Sequence, residues 1–390
     1  MIKKIIPFFL TFLFLFNPPL FALEKIIHVK VLSRYALEEV QVISSLSKMK
    51  VPSGNQIQEI LISPETPVIL KAKGKEVEVI IGRNIRTLQS LQMESPRGSF
   101  LKIKSGELER KFVGALTIRS LKGQLSFIEE IPLEDYVQDV LESEMPNGFP
   151  PEALKAQAIL IRTYAFVNAG RHQQEGFDLC DLTHCQAYAG RQLNHRSHAE
   201  AAQATQGLML AYNLKPAQVF YHSTCGGHTS AASDVFGGAE IPYLKGVSDE
   251  DYCKKSPHYK WEDFISLNIL KEVLSKDPIK LSGDLKNVSI SKKEEAGRVL
   301  ELALEGNKKT LISATAFLSQ IGKYLGWSQL KSNWFEMEPK DNGLIFKGHG
   351  LGHGVGLCQW GAKGMAEQGK KFEEILQHYF PGAQLIQRSI

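Results

Sequence analysis

After residue 22 the chain contains no uninterrupted apolar run of membrane-spanning length, so the remainder is expected to fold in water. It also lacks a repeat of fixed period and any low-complexity tract, which argues against a repeat architecture. No charge of one sign dominates: 46 basic and 42 acidic residues give +4, falling to +2 without the first 22 residues, too little to argue for nucleic acid as a partner. Cysteine is scarce, and its count of five is odd, so the thiols cannot all pair within one chain. What is present is ordinary globular material, 390 residues with 43% hydrophobic and 23% charged side chains, enough for two or three cores.

The N-terminus stands apart. Lys3 and Lys4 precede the apolar stretch Ile5 to Phe16, and Pro18 and Pro19 lead to a cleavage position after Ala22. Residues 1–22 therefore read as an export signal, which puts the rest of the chain in the periplasm or cell envelope. The alternative is an uncleaved anchor, because Leu20 is large for its place before the cut and Ile5 to Ala22 almost spans a bilayer.

From Leu23 to about Glu129 the pattern is strand-like, with Ile26 to Val31, Val68 to Lys73, Val77 to Ile81 and Ala115 to Ile118 as alternating or β-branched runs. From Pro132 the period changes. Leu133, Tyr136, Val137, Val140 and Leu141 fall on one helical stripe that Pro146 stops, and Pro151 opens a second helix toward Gly170. A short helix is expected near His198 to Gly207 and a strand at Val219 to Tyr221. A mixed α/β segment, 261–347, offers helices at Ile265 to Leu274 and Ala314 to Leu325 and strands at Val288 to Ile290 and Val299 to Leu304. A last helical stretch starts at Gln359. The fold class is α+β, a small β-rich region over 23–129 followed by a mixed helix and strand core over 130–387.

One residue breaks the pattern. The stripe through 133, 136, 137, 140 and 141 predicts an apolar side chain at 144, and the chain has Glu144 there. Burial and the negative end of the helix dipole both weaken a carboxylic acid, as a general acid near neutral pH requires. A glutamate that simply turns into water at a frayed helix end is the plainer alternative. On the second helix, Lys155 and Arg162 share one face and Gln157 and Tyr164 another. Cys180, His184 and Cys185 put two thiols and an imidazole within six residues, a tetrahedral zinc inventory for which His172 is the nearest further donor. A Cys180–Cys185 disulfide is the alternative for an exported chain. In the glycine-rich loops, Ser223 and Thr224 offer hydroxyls suited to sugar, and Gly350, Gly352 and Gly354 make a strained loop that brings His353 and Gln359 near a cleft.

Four ordered blocks carry a resemblance: IPLEDYVQDVLESEMPNGFPPEALKAQAILIRTYA from Ile131, CDLTHCQAYAG at 180–190, FYHSTCGGHTSAASDVFGG at 220–238 and GHGLGHGVGLCQWGAKGMA at 348–366. Together they closely resemble the SpoIID family, the stage II sporulation protein D and amidase-enhancer group of cell-wall proteins. The resemblance implies a lytic transglycosylase that cuts the MurNAc–GlcNAc β-1,4 bond of peptide-stripped glycan and leaves a 1,6-anhydro sugar. It makes Glu144 the catalytic residue and Lys155, Gln157, Arg162 and Tyr164 cleft residues. It further implies a zinc beside the cleft in some members, structural and not needed for the chemistry, and a cell-wall amidase as a partner that strips stem peptides. His228 and His349 occupy places that vary among relatives, and Cys358 stands where a small polar residue is common.

Two rival functions remain open. A cysteine hydrolase would use Cys225 as nucleophile with His222, His228 or His353 as base, unless Cys225 pairs with Cys253 in a disulfide, which is the plainer expectation for two loop cysteines. A non-catalytic wall-binding module would stimulate a partner amidase and leave Glu144 a structural residue. The β-rich region carries no motif and is expected to dock or bind the wall.

Overall fold

The computed structural model describes residues 24–388 apart from 45–46, 54–55, 63–66, 97, 193–194, 282 and 307. The export signal expected over residues 1–22 lies outside the described residues. Among those described, no helix is long and apolar enough to cross a membrane. The α+β class is borne out.

Residues 26–132 form two mainly antiparallel sheets. The first is seven-stranded, in the order Leu179–Cys180, Ile26–Val31, Gln124–Pro132, Ala115–Leu121, Ser90–Glu94, Ser47–Ser53, Gln56–Ile62. The second is six-stranded, in the order Leu108–Phe112, Leu101–Ser105, Glu39–Ser44, Val68–Lys73, Glu76–Ile81, Asn84–Leu88. Alternation buries one face of most of these strands, most regularly in Gln124–Pro132, where Leu125, Phe127, Glu129 and Ile131 point inward. Strands 115–121 and 124–132 pack on 68–73 and 76–81, so the inward faces share one core.

The edge strand of the first sheet comes from far along the chain. Leu179–Cys180 pairs in parallel with Ile26–Val31, Val29 opposite Leu179 and Lys30 opposite Cys180. The β-rich region is thereby bonded to the Cys/His loop, and a single hydrophobic core runs from Ile27 through the sheets into the helices.

Helix α1 (Leu133–Glu144) follows the last strand directly, with its stripe of Leu133, Tyr136, Val137, Val140 and Leu141 buried as expected. Met145 leaves the helix in extended conformation ahead of Pro146. Helix α2 (Pro151–Asn168) is buried nearly all round, from Ala153 to Ala165, because α1, α3 (Arg196–Ala204), the strand Leu208–Tyr212, α7 (Gln359–Glu367) and α8 (Phe372–Tyr379) enclose it.

After the short helix α4 (Ala232–Phe236), a second core forms around Trp261, Leu270, Leu302, Phe317 and Phe346. It holds two three-stranded sheets with α5 (Leu267–Leu274) and α6 (Ala314–Leu325). Here one expectation needs correction: Ile265 and Ser266 end a strand and do not start the helix. Ile265 pairs with Leu344 and is buried, while the Ser266 side chain accepts the Ile269 amide and so caps α5. The second core lies between two glycine-rich loops that meet each other. Gly350, at φ +79°, has the Thr224 carbonyl 2.5 Å from where a β-carbon would stand, so only glycine allows the loops to touch.

Candidate active site and metal clusters

Glu144 is the last residue of α1 and lines a cleft of about 370 Å³ with Pro146, Phe149, Tyr221, His222, Ser223, Pro257, His258, Gln359 and Trp360. Among the described residues it is the only carboxylate in that lining. Burial raises its pKa above the usual carboxylate range, against the opposing pull of the Ala187 amide, the Tyr221 hydroxyl and the Gln359 side chain. The Ala187 N–H donates to Oε1 at 2.7 Å, and the Tyr221 hydroxyl reaches the same oxygen at 3.5 Å.

Behind Glu144 runs a directed chain. Tyr136 donates to the Gln186 Oε1 at 3.2 Å, Gln186 Nε2 donates to the Tyr221 oxygen at 2.9 Å, and Tyr221 donates onward to Glu144. Each hydroxyl in this chain has one direction open to its proton, so the lone pairs of Glu144 collect the donors.

Ser223 and Gln359 stand at the cleft, as the sequence suggests, with the Gln359 side chain turned toward Glu144. The other expected cleft residues are placed elsewhere. Arg162 is fully buried and makes a bidentate ion pair with Glu134, Nε to Oε1 at 2.7 Å and Nη2 to Oε2 at 2.6 Å. Lys155 pairs with Glu152 at 2.8 Å. Gln157 is enclosed, and the Tyr164 oxygen accepts from Arg171 at 2.9 Å while burial lifts its pKa to about 12. Helix α2 lies within the core, so a shared helical face is not a cleft face. Thr224 is buried against Ser256, 2.7 Å between hydroxyls. His353 packs among Phe220, His222 and Phe236, and burial beside Arg298 holds its pKa down at about 4.

Sequence reasoning missed Tyr221, Trp360, Phe149 and the Ala187 amide. Tyr221 and Trp360 sit inside the two glycine-rich blocks, close to Ser223 and Gln359. A backbone amide has no sequence signal at all.

His172, Cys180, His184 and Cys185 form a group whose donor atoms all lie within 4.8 Å of one another. Cys185 Sγ is 3.4 Å from His172 Nε2, and both sulfurs are 3.7 Å from His184 Nδ1. His172 Nδ1 meets the Glu175 carboxylate at 2.6 Å, the partner a metal-bound imidazole usually has. The group could hold a metal; both cysteines are free thiols, not the alternative disulfide. Cys185 is two residues from Ala187, so whatever fixes the loop fixes the amide on Glu144. Cys225 is fully buried, and burial pushes its thiol far up, which removes it as an exposed nucleophile.

Residues 121–212 match the stage II sporulation protein (SpoIID) family, and residues 250–356 match a domain of unknown function (DUF8618). The stage II sporulation protein D of Bacillus amyloliquefaciens is 32% identical over 273 residues, covering 66% of this chain and 75% of that protein. The chain belongs to the SpoIID family. Another relative of this SpoIID protein, an uncharacterized protein of Brachyspira hyodysenteriae, is 32% identical over 71% of the chain and 72% of its own length. The amidase enhancer of Bacillus subtilis is 28% identical over 64% of the chain and 40% of its own length. The second core, from Trp261 to Phe346, falls within the DUF8618 match, so this SpoIID core carries that unit between its two glycine-rich loops.

Proposed function

We propose that this SpoIID protein acts on the cell wall as an exported lytic transglycosylase, cleaving the MurNAc–GlcNAc β-1,4 bond of peptide-stripped glycan strands with Glu144 as general acid and base. The observation that carries the reading is Glu144 itself, the one carboxylate among the described residues that line the cleft, with burial weakening its acidity. Protonated Glu144 gives its proton to the glycosidic oxygen as the C1–O bond breaks, and the bonding pair leaves with that oxygen. The carboxylate then takes the C6 hydroxyl proton as O6 bonds to C1, closing the 1,6-anhydro ring and restoring the acid. A nucleophile carried by the substrate requires no second carboxylate to activate water.

The Ala187 amide and Tyr221 hydroxyl stabilise the carboxylate between the two proton transfers. Trp360 and Phe149 offer apolar faces for a sugar ring, while Ser223 and the Gln359 amide offer polar ones. Zinc held by His172, Cys180, His184 and Cys185 would supply a structural cross-link that fixes the 180–187 loop and no step of the reaction. The partners are glycan strands and an amidase that removes their stem peptides.

A second reading rests on the relative named amidase enhancer: a wall-binding protein that stimulates a partner amidase. One experiment separates the two. Purified protein and a folded Glu144→Gln variant are incubated with peptide-free glycan, and soluble products are analysed by mass spectrometry. Anhydro ends made by the wild type and absent with the variant support the transglycosylase. Glycan binding without products from either protein favours the enhancer.

A further inference from the structure

Cys225, Cys253 and Cys358, with Asp249, form a second group of four buried donors whose ligand atoms all lie within 4.8 Å of one another. They come from three places. Cys225 is in the loop after the strand Tyr221–His222, Asp249 and Cys253 lie in the turn leading into the second core, and Cys358 caps α7. All three cysteines are free thiols, and the Cys225 and Cys253 sulfurs are 3.5 Å apart. A disulfide needs about 2.05 Å. The edge of a tetrahedron of sulfurs around zinc, built from bonds of about 2.3 Å, is about 3.8 Å.

Backbone amides are aimed at the sulfurs. The Cys225 and Gly361 amides both donate to Cys358 Sγ at 3.2 Å, and the Gly227 amide donates to Cys225 Sγ at 3.4 Å. Asp249 is fully buried, and none of the observed ion pairs reaches it. Its Oδ2 accepts the Cys253 amide at 2.7 Å and its Oδ1 the Tyr379 hydroxyl, which orients the carboxylate as outer partners orient a metal ligand. Arg298, also fully buried, donates to the Cys225 carbonyl and brings a cation from the second core. A carboxylate and three sulfurs buried together within 4.8 Å would be costly to assemble around nothing.

We infer that Cys225, Cys253, Cys358 and Asp249 form a structural zinc site, separate from the His172 cluster, that ties the turn leading into the second core to both walls of the Glu144 cleft. Three thiolates and one carboxylate in a tetrahedron select zinc over harder divalent ions. The walls follow directly: Ser223 is two residues before Cys225, Gln359 and Trp360 follow Cys358, and the Trp360 amide donates to the Ser223 carbonyl at 3.0 Å. The inference is independent of the transglycosylase reading.

The test counts metal and thiols in the chain purified without chelator or oxidant. With the first cluster disabled by Cys180→Ser and Cys185→Ser, elemental analysis should still find one zinc per chain, and adding Cys253→Ser should reduce it to background. Cobalt in place of zinc should give thiolate charge-transfer absorption in the double variant and none in the triple. In the double variant, denatured without reductant, all three remaining cysteines should react with a thiol reagent. A thiol count short by two, or zinc lost already in the double variant when that variant is folded, would overturn the inference. Should the triple variant not fold, wild-type native mass spectrometry still decides: a metal-free chain overturns the inference, and two zincs support it.

Discussion

Replacing Arg162 by methionine keeps the length and bulk of the side chain and removes its charge. In the native protein the guanidinium is fully buried, grips both Glu134 oxygens, and donates to the carbonyls of Leu208 at 3.1 Å and Ala202 at 3.4 Å. Glu134 keeps only the Gly207 amide, at 3.2 Å, once the arginine is gone. Breaking this pair from one side costs about 3 kcal/mol, the lower end for a buried pair, because the stranded Glu134 side chain is 20% exposed and regains some water. With a urea dependence of about 2–3 kcal/mol per molar, the unfolding midpoint of the first core should fall by about 1–1.5 M. Adding Glu134→Gln should recover a large part of that loss, since the stranded charge is then gone. The assay is urea unfolding followed by circular dichroism, together with glycan cleavage per folded molecule. A midpoint shift under about 0.5 M, or a specific loss of activity in folded Arg162→Met protein, would refute the assignment of Arg162 to the core and return it to the cleft.

Two further outcomes follow from the site. Burial raises the folded pKa of Glu144, so the folded state holds its proton more tightly than the unfolded chain. That contribution is full below about pH 4.3 and is lost as pH rises through the raised folded value, at about 1.4 kcal/mol for each tenfold weakening of the acid. The Glu144→Gln variant should thus match wild type near pH 4 and melt higher than wild type at pH 7; equal melting temperatures at both pH values would contradict a desolvated carboxyl. Cys180→Ser with Cys185→Ser should lower bound zinc by one equivalent and reduce glycan cleavage at least tenfold, the effect typical of lost support around a metal-held loop. Unchanged activity in a metal-depleted, folded variant would disconnect that loop from Glu144.

Helix α1 was legible because a 3.6-residue stripe and a terminating proline are local signals, and the same stripe marked position 144 as a place where a carboxylate would meet low dielectric. The strands of residues 26–132 were legible by alternation. Helix α2 misled for the same kind of reason. Periodicity identifies which residues share a face, but α2 has core on every face, and nothing local distinguishes an arginine aimed at a cleft from one paired with Glu134. The donor group around His172 could be assembled from spacing because its members fall within fourteen residues of chain.

The second donor group could not. Cys225, Cys253 and Cys358 span a folded unit with its own core, and their meeting depends on how that unit seats between the two glycine-rich loops. The sequence by itself determined most helices and strands, the family and the unusual placing of Glu144 on an apolar stripe, because propensity, period and motif act over short stretches of chain. Tertiary structure alone decided the polar partners of Glu144, the burial of Arg162 and the convergence of three distant cysteines, because these depend on long-range packing that no local pattern encodes.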